Sequence, residues 1–69
     1  MTHSPRFSPR ELEIAALVAE GLSSLKIAAA LGWTEGTVRV TICRMGWKLD
    51  GEGTPRHRIA RWWLTREAA

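Results

Sequence analysis

The sequence predicts an all-α domain of four short helices, and three observations carry that prediction. Four times a hydroxyl residue stands just before a run of helically spaced apolar residues, at Ser8, Ser23, Thr34 and Thr54. Such residues cap helix starts by accepting from backbone N–H groups that have no partner within the helix. Gly21 and Gly32 close the first two runs, as glycine does at helix C-termini. No stretch of useful length alternates apolar and polar residues, which a half-buried strand would require.

The first helix starts at Ser8, with Pro9 in the first helical position and Glu11 three residues after the cap. This spacing makes a capping box, in which the cap side chain and the later carboxylate each satisfy a backbone N–H. Phe7 before the cap and Leu12 after it have the spacing of a hydrophobic staple. Leu12, Ile14, Ala15, Leu17, Val18 and Ala19 form a broad apolar face. The second helix runs from its Ser23 cap to about Leu31 and turns Ile27, Ala28 and Leu31 inward. Its alanines are small enough to let another helix come close.

Thr34 caps a third helix that runs to about Leu49. At 100° per residue, Ile42, Met45 and Leu49 lie within about 40° of Val38, and these four form the core stripe. Gly36, Val40, Cys43 and Trp47 fall on the opposite side, between Arg39 and Arg44. Trp47 either covers the joint with the fourth helix or is left outward, where the backbone of a bound nucleic acid would meet it. Asp50-Gly51-Glu52-Gly53 reads as a flexible turn. Thr54 and Pro55 then open the fourth helix, which runs to about Arg66 and carries Ile59, Ala60, Trp62, Trp63 and Leu64. Residues 1–6 are polar and read as a frayed end, so the domain is expected over residues 7–69.

With 69 residues there is room for one domain with a thin core. Cys43 is the sole cysteine, so no disulfide within the chain can reinforce that core. One Cys and two widely separated His, His3 and His57, lack metal-ligand spacing. No metal or other cofactor is therefore expected, and a second subunit is the remaining source of added stability. Ile59, Trp62 and Trp63 span an arc of about 100° on the fourth helix. One tryptophan can close the core against the first helix. The other is then left to a partner, unless both pack within the chain.

No run is long and apolar enough to span a bilayer, and the N-terminus lacks the apolar region of a signal peptide. A cytoplasmic protein is expected, nucleoid-associated if it binds DNA. Enzyme chemistry is not expected. No Ser/His/Asp, Cys/His or paired-carboxylate set can be assembled, and so short a chain shapes no dry pocket for a small-molecule substrate.

The net charge of +3 is unevenly placed. Residues 1–38 hold three basic and four acidic side chains, whereas residues 39–66 hold seven basic and two acidic ones. That asymmetry points to an anionic partner, although a solvated basic surface explains a small excess equally well. Helices two and three, joined by a short glycine-containing turn, form a helix-turn-helix, in which the second helix of the pair lies in the DNA major groove.

Ser8-Pro9-Arg10-Glu11, Ala19-Glu20-Gly21-Leu22-Ser23, Ile27-Ala28, Leu31-Gly32, Glu35-Gly36-Thr37-Val38-Arg39 and Lys48-Leu49 occur in this order. With these spaced motifs, residues 7–50 resemble the LuxR/FixJ-type (GerE-like) DNA-binding domain, and residues 54–66 resemble it loosely. Departures are Lys26 where the family usually has Glu, Thr41 for a common His, Trp33 for an aliphatic residue, Gly46 inside the third helix, and a glycine-rich loop before the fourth. The resemblance implies a regulator of transcription that binds double-stranded DNA through the third helix and forms a homodimer through the fourth. The implied DNA-contacting residues are Lys26, Thr34, Glu35, Thr37, Arg39, Val40, Cys43, Arg44 and Lys48. Thr37 and Arg39 would meet phosphate, and Val40, Cys43 and Arg44 would lie at base edges. The implied dimer residues are Ile59, Trp62, Trp63 and Arg66. No sensing domain precedes the motif in this sequence, so it reads as a free-standing regulator if the chain is whole and as the DNA-binding part of a longer regulator if it is not. Sigma-region-4 domains share much of the pattern. A factor that acts by binding RNA polymerase or another regulator, and a DNA-packaging module, are therefore the alternatives.

Overall fold

A computed structural model describes residues 6–66. The expected frayed segment lies outside these residues except for Arg6. Helices α1 (Pro9–Ala19), α2 (Ser24–Leu31), α3 (Glu35–Trp47) and α4 (Pro55–Thr65) follow one another, and the described residues contain no strand.

Each helix starts where a hydroxyl side chain reaches a backbone N–H. Ser8 Oγ accepts from Glu11 N–H at 3.1 Å, and Glu11 Oε1 accepts from Ser8 N–H at 2.8 Å, which completes the capping box. Ser23, Thr34 and Thr54 accept from the N–H groups of Lys26, Thr37 and His57. Gly21 and Gly32 adopt φ of 88° and 71°, the left-handed turn that ends a helix without a Cβ clash. After α1, Gly21 N–H donates to Val18 O and Leu22 N–H to Leu17 O, the paired bonds of a Schellman ending.

The core is a single cluster of Ile14, Ala15 and Val18 from α1, Ile27 and Ala28 from α2, Val38, Ile42 and Met45 from α3, Leu49, and Ile59 from α4. Burying each of the isoleucine, valine, leucine and methionine side chains stabilises by about 1.5–3 kcal/mol, and each alanine by less. α4 packs against both α1 and α3, and α3 also packs on α2, so α4 closes the core from the side away from α2. α3 ends at Trp47, two residues earlier than its periodicity implies. Lys48 N–H and Leu49 N–H then donate to Met45 O and Gly46 O. This tighter turn still delivers Leu49 to the core.

Four expectations change. Leu12 is 38% exposed rather than inward, and Phe7 sits edge-on to Trp62 of α4, with ring centroids 5.0 Å apart. The anchor of the N-terminal segment thus includes α4. Ile59, expected at a dimer face, is 0% exposed and sits in the core, where its branched side chain fills the space that α1 and α3 leave under α4. Trp62 and Trp63 are both half-buried against that core, so neither is the outward tryptophan expected of α4. Finally, the Asp50–Gly53 turn is pinned. Arg58 donates to Gly53 O and Leu49 O at 3.1 and 3.3 Å, and Arg61 donates to Glu52 O at 2.9 Å.

Candidate nucleic-acid interface

The α2–α3 turn consists of Gly32, Trp33 and Thr34. Gly32 reverses the chain, Trp33 packs against the core beside it, and Thr34 caps α3. Thr34 Oγ1 also lies 2.9 Å from the Thr37 hydroxyl, so two side chains close the start of the helix. Thr41 donates its hydroxyl proton to Thr37 O at 2.8 Å and adds no side-chain freedom to that face. The guanidinium of Arg10 lies 6.0 Å from the Trp33 ring.

With Val38, Ile42 and Met45 buried, α3 turns Gly36, Val40, Cys43 and Trp47 outward. Val40 is 52% exposed and Trp47 is 67% exposed. A bare apolar ridge on a helix whose other side fills the core is suited to contact a partner. Two shallow concavities flank it. One is lined by Gly36, Thr37, Val40, Thr41 and Arg44. The other, of about 170 Å³, is lined by Ser24, Arg39, Ile42, Cys43, Thr54, Pro55 and Arg56. The structure thus brings Thr37, Arg39, Val40, Cys43 and Arg44 onto one continuous surface. Thr34 and Glu35 lie at its leading end, and Lys26 is exposed near the start of α2.

The cations differ in how firmly they are held. Arg39 pairs with Glu35 at 3.0 Å, and both are exposed. Such an i,i+4 pair is worth only about 0.3–0.5 kcal/mol, so a phosphate can displace the carboxylate. Among the described residues, Arg44 has no acceptor of its own, and it is exposed. Lys48 differs from the rest. Its ammonium sits 3.5 Å from Glu11, donates to Arg6 O at 3.4 Å and lies 5.4 Å from the centre of the Phe7 ring. It ties α3 to the start of α1, a local role its position in the motif does not reveal. Trp47 does meet α4, through an Arg58 guanidinium 5.2 Å from its ring centre.

Glu11, the other half of that tie, titrates abnormally. Burial raises its pKa, but the Ser8 N–H, the Lys48 charge and the Ser8 hydroxyl together outweigh that effect and hold it below its ordinary value. Cys43 is a free, exposed thiol. Among the described residues, no group of His, Cys, Asp and Glu could hold a metal ion, and no helix is long and apolar enough to cross a membrane.

Arg56 was not among the residues singled out by the sequence motifs. It is the second residue of α4, and only the crossing of α4 over α3 brings it beside Arg39 and Cys43. The signal in the sequence was Gly46, which permits that crossing.

Comparison with known proteins agrees with this geometry. Residues 5–55 match the family model described as GerE, bacterial regulatory proteins of the luxR family. No curated protein and no solved structure matches the chain. The matched residues hold all of α1, α2 and α3, with the turn that exposes the Val40 ridge. The chain therefore belongs to the luxR family of bacterial regulatory proteins, as a helix-turn-helix DNA-binding domain.

Proposed function

We propose that the chain is a sequence-specific regulator of transcription that inserts α3 into the major groove of duplex DNA and acts as a homodimer through α4. The observation that carries this reading is the split character of α3: Val38, Ile42 and Met45 are buried, while Val40, Cys43 and Arg44 stand outward beside Thr37 and Arg39. Arg44 is long enough to donate twice to guanine O6 and N7, and Val40 suits a thymine methyl. Thr37 and Arg39 meet phosphate, with Thr34, Glu35 and Lys26 at the edge of the contact. The start of α3 adds a favourable dipole for a phosphate placed there. Lys48 contributes indirectly, by fixing the α1–α3 joint. Trp63 and Arg66, with the Arg66 guanidinium 3.5 Å from the Trp63 ring centre, and the exposed edge of Trp62 form the α4 surface offered to a second copy. The protein works in the cytoplasm, at the nucleoid.

The test is a selection of bound sequences from random duplexes at physiological salt. A two-fold symmetric motif is expected, and Arg44→Ala should relax selection at one position of each half-site, by about 1–3 kcal/mol. Equal affinity for unrelated duplexes would make the chain a packaging module instead. Transcriptional activity that survives the loss of DNA binding in Arg39→Ala and Arg44→Ala would make RNA polymerase its main partner.

A further inference from the structure

Of the arginines from Arg39 onward, most are anchored. Arg39 holds Glu35, Arg58 and Arg61 hold the carbonyls of the Asp50–Gly53 loop, and Arg66 donates to Trp63 O and stacks on its ring. Arg56 is different. It is half-buried, yet among the described residues its guanidinium has no hydrogen-bond acceptor, no ion-pair partner and no ring to stack on. Its stem lines the α3–α4 groove, whose floor is the apolar surface of Ile42, Cys43 and Pro55 and whose rim carries Arg39. Arg39, on that rim, is paired with Glu35.

On α3, Arg39 lies about 140° around the axis from Arg44, with the Val40 ridge between them. A helix seated in a major groove about 12 Å wide has one phosphate chain along each wall. We infer that the α3–α4 groove seats one of these sugar–phosphate chains, with Arg56 and Arg39 donating to consecutive phosphates. Thr37 and Arg44 face the other chain and the bases. The apolar floor accommodates the sugar edges, and the two rim cations supply the matching charge. This inference rests on the DNA reading above and extends the contact surface to a residue of α4.

The test measures affinity for a labelled 20-base-pair duplex of arbitrary sequence over a series of salt concentrations. Wild type is compared with Arg56→Gln, Arg56→Lys and, as a control for net charge, Arg10→Gln, whose arginine already pairs with Glu13 outside the groove. Arg56→Gln should weaken binding roughly three- to tenfold and lower the slope of log affinity against log salt by about 1, without changing preference between duplexes. Arg56→Lys should recover most of the slope, and Arg10→Gln should keep it. A wild type that binds while Arg56→Gln matches it in slope would overturn the groove assignment and leave the DNA reading intact. Equal losses in Arg56→Gln and Arg10→Gln would also overturn it, by making net charge the cause. A wild type that binds no duplex at low salt would remove both.

Discussion

Gly46 of α3 and Pro55 of α4 meet so closely that no side chain fits between the two helices. A Cβ on Gly46 would overlap the Cα and Cβ of Pro55. Glycine inside a helix costs up to about 1 kcal/mol against alanine. Here that cost is offset by the close crossing that brings Ile59 into the core and Arg56 beside Arg39. Gly46→Ala should therefore destabilise the protein by about 1–3 kcal/mol despite its better helix propensity, because one helix must move away from the other. Urea unfolding measures this through the midpoint, and a midpoint at or above wild type would refute the account.

The Glu11 carboxylate links the α1 cap to Lys48 near the end of α3, and this makes part of the stability depend on pH. Its folded pKa lies below the ordinary 4.5. A carboxylate with a lowered pKa contributes stability that is present above the unfolded value and is lost as pH falls through the folded one. Glu11→Gln should thus be less stable than wild type at neutral pH, by about 0.5 kcal/mol, since glutamine still accepts from Ser8 N–H but gives up the charge. The difference should shrink as pH falls below about 4.5 and be lost once pH has passed the lowered folded pKa. Thermal melts of both proteins at pH 7, 4.5 and 3 measure it. A difference that stays constant across the three would show that the carboxylate's charge plays no part.

These two contacts mark where the sequence stopped being readable. The four caps could be read because each is a bond between residues three apart, decided locally. The α3 stripe could be read because Val38, Ile42, Met45 and Leu49 repeat at a helical period with only one way to turn inward. α4 offers no such choice. Ile59, Trp62 and Trp63 spread over a wide arc, and periodicity cannot say which of them goes deepest. The crossing decides, and it puts Ile59 at the bottom with both tryptophans on the slope. The ties of Lys48 to Glu11 and of Arg58 and Arg61 to loop carbonyls were hidden for a related reason. A long cationic side chain in sequence does not disclose whether its head meets solvent, an acid or the backbone. The basic C-terminal half consequently reads equally as an anion-binding surface or as a solvated one. Three of its arginines instead donate to this chain's own carbonyls.

Arg61 shows what such a tie does. Its guanidinium donates to Glu52 O across nine residues, and Gly51 beside it, at φ 117°, leaves the room that guanidinium needs. Arg61→Ala should free the Asp50–Gly53 turn while leaving the core intact. Global stability should fall by at most about 1 kcal/mol, because the bond is exposed. Amide exchange at Glu52 and Gly53 should rise several-fold, with little change at Val38 or Ile42. Uniform acceleration across all four sites would show that the arginine supports the whole fold.

The proposed α4 homodimer separates folding from assembly most sharply. Trp62 meets Phe7 edge to face and packs on the core, so Trp62→Ala should cost about 2 kcal/mol whether or not the chain associates. Leu64 is 70% exposed and lines a shallow recess with His57, Ala60, Arg61 and Thr65 on the free side of the helix. An exposed leucine contributes little to a monomer, so Leu64→Glu should change its stability by no more than about 0.5 kcal/mol. Where the two-fold pairing of α4 helices runs from the Trp63 and Arg66 surface over Leu64, the same substitution sets two carboxylates into the apolar contact, one from each copy, and should shift sedimentation from dimer to monomer. Binding to a symmetric site should then fall steeply, while binding to a half-site stays close to wild type. A wild type that sediments as a monomer at high micromolar concentration would end the α4 proposal. A dimer untouched by Leu64→Glu would confine the contact to the Trp63 and Arg66 side of α4 and exclude the Leu64 side.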